Sequence, residues 1–324
     1  MPGLPRPITV PSRGSASGRG LRHPDPPKSS VTPSRRRRRE TAAAWAYVSP
    51  AVLIILGLGV VPVLWSLVLS FQVDDLVTPS RWVGLDNYAA LAQDPHFGQA
   101  VENTVLYTVL YVPLSILFGF LLAQALNRRI RLVGVYRTLV FVPFVLSATA
   151  QGVLFSFILD PQFGAANSLL HHLGISPQGF LTDPAQALLV LVGITLWSGT
   201  GFCVVVYLAA LQDVPPSLVE AARLDGAGTW RVLRHVTLPA VTPVTAFLVL
   251  WQLITSLQVF DLVYVTTKGG PLGSTTVVVY FVWEQAFKNF TAGYGAASAY
   301  VLALALLVVV VAVRLLRRPG KALR

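Results

Sequence analysis

Six long apolar runs constrain the fold of this chain more than any other feature of its sequence. A helix of about 20 apolar residues crosses the roughly 30 Å hydrocarbon core of a bilayer. A helix also satisfies its backbone hydrogen bonds internally, which lipid requires. The runs therefore predict an all-α integral membrane protein with six transmembrane helices. The predicted spans lie at about residues 45–71, 101–126, 138–159, 184–211, 242–265 and 293–316.

The charged residues are few, and the basic ones are concentrated near the start of the chain and beside the apolar runs. Only 12% of the residues are charged, against about 25% in ordinary soluble domains. Ten of the 25 Lys and Arg residues precede residue 41, so the net charge of +11 does not describe a basic groove, and we predict no nucleic-acid partner. Residues 1–40 are rich in Pro, Ser, Gly and Arg and are predicted to be a disordered basic tail, followed by a transmembrane domain over residues 41–324.

The positions of the basic residues predict the orientation of the six spans. Loops on the cytoplasmic side of a membrane carry an excess of Lys and Arg. If the tail, residues 127–137, residues 212–241 and the C-terminus share one side, that side holds 22 basic residues and the other side holds 3. Both termini and residues 213–241 are therefore predicted to be cytoplasmic, in a multi-pass membrane protein. The arginine run at residues 35–39 is predicted to anchor on an anionic lipid surface.

The polar segment at residues 213–241 is predicted to be a cytoplasmic docking element between the fourth and fifth spans. Asp213, followed by two prolines, is a candidate N-cap. The stretch SLVEAARL predicts a short helix, Gly226 interrupts it, and TWRVLRHV predicts a second short helix. Leu238-Pro239 is predicted to end that second helix just before the next apolar run.

No sequence pattern for catalysis or for energy coupling is present in the chain. It contains neither the phosphate-binding pattern GxxxxGK[ST] nor the HExxH and GxSxG patterns of hydrolases. His171 and His172 are adjacent and lack carboxylate partners at ligand spacing, and Cys203 is the only cysteine. We predict no catalytic residue, no metal site and no cofactor. Energy for transport is then expected to come from a partner protein.

Residues 220–239 resemble the EAA loop of the membrane subunits of binding-protein-dependent ABC importers. The pattern is EAA, three residues, Gly, nine residues, Ile, one residue and Leu-Pro, and only Val236 departs from it, since Ile is usual there. Further motifs are similar to the carbohydrate branch of the family, of the maltose and glycerol-3-phosphate type, and the resemblance covers about residues 45–318. These motifs lie at Val83–Tyr88, Asp94-Pro95, Asn103-Thr104, Arg137-Thr138, Asp160-Pro161, Gln258–Asp261 and Gly269–Pro271.

The resemblance implies a type I ABC importer permease fold and a transport subunit that is not itself an enzyme. The implied partners are a second permease subunit in a heterodimer, two cytoplasmic ATPase subunits, an extracellular solute-binding protein and a sugar. Residues 213–241 would form coupling helices in a groove of an ATPase subunit and would drive alternating access. The residues implied in coupling are Glu220, Ala221, Ala222, Gly226, Gly228, Leu238 and Pro239.

The polar and aromatic residues of the fifth span form the candidate substrate pathway. Amides, hydroxyls and aromatic faces suit the hydroxyls and C–H faces of a sugar. Gln252, Thr255 and Ser256 recur at three- and four-residue spacing, so they are predicted to share one helix face. The same groups also suit hydrogen bonds between helices, and the second permease is an alternative location for the substrate site. The candidates are Trp251, Gln252, Ser256, Gln258, Asp261 and Tyr264.

Two other classes of function are weighed against an importer subunit. A self-contained secondary transporter or channel would carry residues 213–241 as an amphipathic hairpin on the bilayer surface and would need no partner. A membrane-embedded enzyme would need a cluster of acids or metal ligands, which the sequence does not show. The spacing within residues 220–239 favours the coupling function over the surface hairpin.

Overall fold

The computed structural model describes residues 35–75, 79–128 and 131–316 of the chain. The chain divides into two compact units, Met1–Gly59 and Val60–Arg324. In the described part of the first unit, helix α1 spans Arg35–Ile54 and a π-helical turn begins at Ile55. The predicted tail boundary at residue 40 is corrected here, because arginine is a good helix former and the arginine run begins α1. The predicted disorder of residues 1–34 lies outside the described residues.

The described part of the second unit is almost entirely helical. Its two short strands, β1 (Gln72–Val73) and β2 (Arg81–Trp82), pair antiparallel. Its helices are α2 (Val61–Leu69), α3 (Asp86–Gln93), α4 (Pro95–Leu126), α5 (Val133–Val145), α6 (Ala148–Ile158), α7 (Ala165–His172), α8 (Ala187–Gln212), α9 (Pro216–Leu224), α10 (Thr229–Val232), α11 (Leu238–Leu257), α12 (Asp261–Val265), α13 (Val278–Trp283) and α14 (Ala292–Leu316). Two further π-helical turns follow α10 and α13, at Leu233–Thr237 and Glu284–Lys288.

The all-α membrane class is confirmed by the length and hydropathy of the described helices. Five segments are long and apolar enough to cross a bilayer, and the pair α5 and α6 makes a sixth if both belong to one span. The five segments are Ala43–Leu69, Pro95–Leu126, Ala187–Gln212, Thr229–Val265 and Ala292–Ala312.

The predicted span at residues 138–159 is not a single helix, because α5 and α6 meet at an angle of 99°. Leu146 and Ser147 between them are extended, and the Ser147 hydroxyl caps α6 by accepting a hydrogen bond from the amide of Ala150 at 3.2 Å. The Gln151 side-chain amide donates to the carbonyl oxygens of Leu146 at 2.8 Å and Pro143 at 3.3 Å. The Pro143 carbonyl also accepts from the Leu146 amide, so Gln151 adds a second donor there and supplies one to Leu146 beyond the end of α5. The bend is therefore stabilised by a side chain as well as favoured by proline.

The close approach of α4 and α8 forms the centre of the second unit. A Cβ atom added at Gly119 of α4 would collide with the Cβ atom of Cys203 on α8, and one added at Gly199 of α8 would collide with the hydroxyl of Tyr111. Small residues at such crossings let two helix backbones approach closely. The resulting van der Waals contacts stabilise helix association in lipid. Cys203 is buried at this crossing, as expected for a small apolar side chain.

Side-chain hydrogen bonds from α3 fix the chain between α2 and α4. The Asn87 side-chain amide donates to the carbonyl oxygens of Ser70 and Gln72, both at 2.9 Å. The Tyr88 and Ser70 hydroxyls lie 2.8 Å apart. The segment between the first two predicted spans therefore contains α3, and the buried Asn87 side chain of α3 supplies hydrogen-bond donors to the carbonyls of Ser70 and Gln72.

Candidate functional site

The segment between α8 and α11 forms the two short helices that the sequence predicts. α9 begins at Pro216, in the position where a missing backbone N–H costs nothing, and α10 begins at Thr229. Asp213 is not the N-cap of α9, however. It is the residue that ends α8, and Pro215 takes the N-cap position without a side-chain hydrogen bond. Only three residues therefore separate the end of α8 from the start of α9.

Gly226 ends α9 with a Schellman motif. Its φ angle is +78°, in the left-handed region that favours glycine. The Gly226 amide donates to the carbonyl of Arg223 at 3.0 Å, and the Ala227 amide donates to that of Ala222 at 2.9 Å. A Cβ atom at Gly226 would meet nothing within 4 Å. The chain itself requires glycine here for backbone conformation and not for space.

Gly228 has a different environment from Gly226. Its φ angle is −70°, and it is the N-cap of α10. A Cβ atom there would also meet nothing within 4 Å. Because neither the backbone angle nor the packing of the described chain requires glycine at this position, the open space beside Gly228 is available to a partner.

The prediction that Leu238-Pro239 ends the second helix is wrong. The helix continues from α10 through the π-helical turn at Leu233–Thr237 into α11. The Leu238 amide donates to the carbonyl of Leu233, one residue further back than in an α-helix. A π turn widens the helix and makes room for the ring of Pro239, which would clash with a carbonyl of a regular α-helix. α10 is thereby continuous with the fifth span.

Several large apolar side chains of this segment are exposed, and those of α9 and α10 are the most exposed. Leu224 is 89% exposed and Trp230 is 68% exposed, and Leu218 is also exposed. Large apolar side chains grouped on an exposed polar segment mark a surface against which another surface can pack. The segment at residues 213–239 is called the docking loop below.

A polar cleft of about 580 Å³ lies between the docking loop and the ends of α4 and α8. Glu220 and Arg223 of α9 line it, opposite Gln124 and Asn127 at the end of α4. The Gln124 side-chain oxygen is buried and has no hydrogen-bond partner among the described residues. Glu220 and Arg223 thus border a space behind α9, while Leu224 and Trp230 face outward.

A second cavity, of about 190 Å³, lies where α4, α6, α8 and α11 meet; we call it the central cavity. Three of the six predicted pathway residues line it, namely Ser256, Gln258 and Asp261. The other polar and aromatic lining residues are Tyr107, Tyr111, Gln151, Thr195, Ser198, Thr255 and Phe260. The Tyr107 hydroxyl donates to the Thr195 hydroxyl at 2.7 Å, which joins α4 to α8 across the cavity wall.

The remaining three pathway candidates lie outside the central cavity. The Gln252 side-chain amide is buried and donates to the Tyr111 hydroxyl at 2.9 Å and the Cys203 sulfur at 3.3 Å, so it joins helices. Trp251 packs on Phe202 with ring centroids 5.5 Å apart. Tyr264 does not line the cavity, but it stacks on Phe260, which does, and it meets Trp283 edge-on. Contact of any of the six candidates with a solute remains a prediction.

The predicted common face of Gln252, Thr255 and Ser256 is corrected by their burial. Gln252 and Ser256 are buried, whereas Thr255 is exposed. Spacing of three and of four residues turns a helix by different angles, so Thr255 lies at the edge of the face that the other two share. The cavity residues that the sequence interpretation missed are Tyr107 and Tyr111, and their signal was a pair of tyrosines one helical turn apart in the second span.

Among the described residues, no group of three or more His, Cys, Asp or Glu side chains is placed to hold a metal ion. The lining of the central cavity consists mainly of hydroxyl, amide, aromatic and apolar side chains. Asp261 is the one acidic lining residue among the described residues. Such a lining can exchange hydrogen bonds with a neutral polyhydroxyl solute.

Comparison with known proteins places the chain among transport components. The profile of the family described as "Binding-protein-dependent transport system inner membrane component" matches residues 95–318. The lactose transport system permease protein LacF of Rhizobium radiobacter is 37% identical over 269 residues, which are 80% of this chain and 89% of LacF. The trehalose/maltose transport system permease protein MalF of Thermococcus litoralis is 30% identical over 292 residues, covering 88% of this chain and 98% of that protein.

A solved structure has the same fold. It is a chain in the crystal structure of a bacterial ABC transporter involved in the import of the acidic polysaccharide alginate. That chain matches with a TM-score of 0.79 and 25% sequence identity, over 88% of this chain and 99% of its own length.

Proposed function

This chain belongs to the family of binding-protein-dependent transport system inner membrane components, and we propose that it forms part of the solute passage of an ABC importer for a sugar or sugar-like solute. It is a permease, a transport subunit, with the fold of type I ABC importer permeases. The proposal of ATP-driven import rests on the structure of the docking loop. It exposes Leu224 and Trp230 while its backbone is held by the Schellman motif at Gly226.

The docking loop is the proposed contact with a cytoplasmic ATPase subunit. Its exposed apolar side chains supply area that a partner can desolvate, whereas Arg223 and Glu220 line the cleft behind α9. The open space beside Gly228 permits close backbone approach. The residues implied in coupling therefore have two functions in this proposal. Gly226, Pro239 and Leu238 shape the loop and its joint with α11, while the surface beside Ala221 and Gly228 receives the partner.

Movement of the docking loop would reach the central cavity through two helices. α9 follows α8 after three residues, and α10 is continuous with α11. α11 has 20 residues, a length of about 30 Å at the rise of an α-helix. α8 contributes Thr195 and Ser198 to the cavity, and α11 contributes Ser256. A displacement of the loop by an ATPase would thus move two walls of the cavity, which is the alternating-access mechanism we propose.

The complete importer in this proposal contains a second permease, two ATPase subunits and an extracellular solute-binding protein. The distribution of basic residues supports the proposed orientation, with both termini and the docking loop in the cytoplasm and the spans in a bacterial plasma membrane. The relatives named for lactose and for trehalose/maltose support a sugar as the solute. The hydroxyl, amide and aromatic lining of the central cavity supports it independently.

Reconstitution into liposomes tests the proposed function. The chain is co-purified with a candidate second permease and a candidate ATPase from the same genome, and uptake of labelled lactose, maltose and trehalose is measured with a candidate binding protein present. We expect uptake that needs ATP, the ATPase and the binding protein together. Uptake by this chain alone, driven by an ion gradient, would instead establish a self-contained secondary transporter and refute the proposal.

A further inference from the structure

Four aromatic rings form a continuous cluster at the end of the fifth span. The aromatic cluster consists of Phe260, Tyr264, Tyr280 and Trp283. The rings of Phe260 and Tyr264 are stacked with centroids 5.3 Å apart. Tyr264 meets Trp283 edge-on at 4.8 Å, and Tyr280 lies 5.6 Å from Trp283. The cluster therefore joins α12 to α13.

The aromatic cluster leads from the central cavity to the protein surface. Phe260 lines the central cavity. Tyr264 lies one helical turn further along, since its amide donates to the carbonyl of Phe260 at 2.9 Å. Tyr264 is 40% exposed, whereas Tyr280 is only 3% exposed and supports the cluster from within. Rings are thus continuous from the buried wall of the cavity to an exposed edge.

Polar groups border the aromatic cluster. Asp261 is exposed and also lines the central cavity. Glu284 follows Trp283 directly and accepts a hydrogen bond from Lys288 at 2.6 Å, which raises the pKa of the lysine. Aromatic faces bordered by carboxylates and amines match a pyranose ring, which has an apolar C–H face and a rim of hydroxyl groups.

Neither core packing nor a membrane-interface belt accounts for the whole cluster. Core packing explains Tyr280, which is buried, but leaves the exposure of Tyr264 unexplained. An interfacial tyrosine or tryptophan places its ring at the headgroup level as a separate anchor. Tyr264 instead stacks on Phe260, a residue of the cavity wall. Its exposed edge is therefore continuous with the space through which the solute is proposed to pass.

We propose that the aromatic cluster is a stacking site for a pyranose ring of the incoming saccharide, at the outer mouth of the central cavity. The ring rests on Tyr264 and Trp283 and passes along Phe260 to the cavity residues Ser256 and Gln258. The proposal rests on the proposed import of a sugar and adds a site for it that lies outside the central cavity.

The test compares uptake with ATP hydrolysis in the reconstituted complex containing the binding protein. Tyr264→Ala removes the exposed ring, and Tyr264→Phe keeps the ring while removing its hydroxyl. Phe287→Ala is the matched control, because Phe287 is an exposed aromatic of the same external segment and forms none of the ring contacts of the cluster. The probes are labelled lactose, maltose and trehalose, which contain pyranose rings.

We expect Tyr264→Ala to lower the uptake of a transported probe by about two- to tenfold, the equivalent of one aromatic contact. ATP hydrolysis stimulated by the binding protein should be unchanged, so the ATP hydrolysed per sugar rises by the same factor. Tyr264→Phe and Phe287→Ala should both keep normal uptake. A purely structural residue would not separate uptake from hydrolysis in this way.

Several results would overturn the stacking site. Normal uptake in Tyr264→Ala would show that the ring does not meet the sugar. An equal fall in uptake and hydrolysis would assign Tyr264 to folding, and loss of the second permease from the purified variant would assign it to a subunit interface. If the unsubstituted complex takes up none of the probes, the proposed sugar import fails, and the stacking site fails with it.

Discussion

Replacement of Gly226 tests whether the conformation of the docking loop matters to the ATPase. The two hydrogen bonds of the Schellman motif require a left-handed residue at this position, and the φ angle is +78°. No atom lies within 4 Å of an added Cβ, so a side chain introduces no collision within the chain. The whole effect of Gly226→Val therefore comes from the backbone, apart from any contact with a partner.

The size of the effect follows from the cost of the left-handed conformation. That cost is about 1–2 kcal/mol for a residue with a Cβ atom. It corresponds to a change of about five- to thirtyfold in the population of the observed loop. Gly226→Val should weaken ATPase binding by up to that factor, and a β-branched residue tolerates the conformation least. Gly226→Asn should weaken it less, since asparagine adopts the left-handed region more readily.

The assay is the dissociation constant of the purified ATPase subunit for the permease in nanodiscs. Gly174 supplies a matched control, because it ends α7 with the same pair of hydrogen bonds and has a φ angle of +75° and open space. It lies on the predicted external side, so Gly174→Val should leave ATPase binding unchanged. Equal binding by Gly226→Val and the unsubstituted chain would refute the reasoning, and an equal loss in both variants would indicate general unfolding.

Three further predictions concern the docking surface and the core. Trp230→Ala should weaken ATPase binding by about tenfold or more, as expected of an aromatic contact at the centre of an interface, without lowering the melting temperature of the isolated permease. Gln252→Leu should destabilise the permease by about 1–3 kcal/mol, because the buried Tyr111 hydroxyl loses its donor; thermal unfolding in detergent measures it. Gly119→Val should destabilise the crossing of α4 and α8 by about 1–3 kcal/mol or more through overpacking. Gly98→Val, in open space on the same helix, should cost less than 1 kcal/mol in the same thermal assay.

The helical membrane fold was predictable from the sequence because a chain in lipid must satisfy its backbone hydrogen bonds internally. Apolar runs of sufficient length must form helices, and the described spans at Pro95–Leu126 and Ala187–Gln212 contain the predicted ones almost completely. The left-handed conformation of Gly226 was also predictable from the sequence, because a glycine after a short helical pattern predicts a left-handed helix end.

The bends and joints were not predictable from local patterns. Pro143 signals a weak point in the third span, but the angle of 99° also depends on Gln151 and on the extended residues before α6. At Pro239 the sequence suggested a helix end, because proline disfavours an α-helix, and the π turn that accommodates it leaves no local signature. In both places the outcome depends on which carbonyls find partners in three dimensions.

The central cavity was predictable only in part. Ser256 and Asp261 were identified because polar residues in an apolar run stand out. Tyr107 and Tyr111 were missed because aromatic residues count as apolar in a hydropathy pattern, although their hydroxyls bond to Thr195 and to Gln252. Gln252 stood out for the same reason as Ser256, yet its amide joins helices. Sequence alone does not separate these two uses of a polar side chain.

Crosslinking from the docking loop tests the central claim most directly. Cys203 is buried, so a cysteine introduced at Leu224, which is 89% exposed, is selectively labelled by a maleimide carrying a photoreactive benzophenone. The equally exposed Leu272, on the predicted external side, is the control position. We predict that light crosslinks Leu224→Cys to the ATPase subunit and that Leu272→Cys gives no such product. Absence of the ATPase adduct from Leu224→Cys in an assembled complex, or its appearance from Leu272→Cys, would contradict the account.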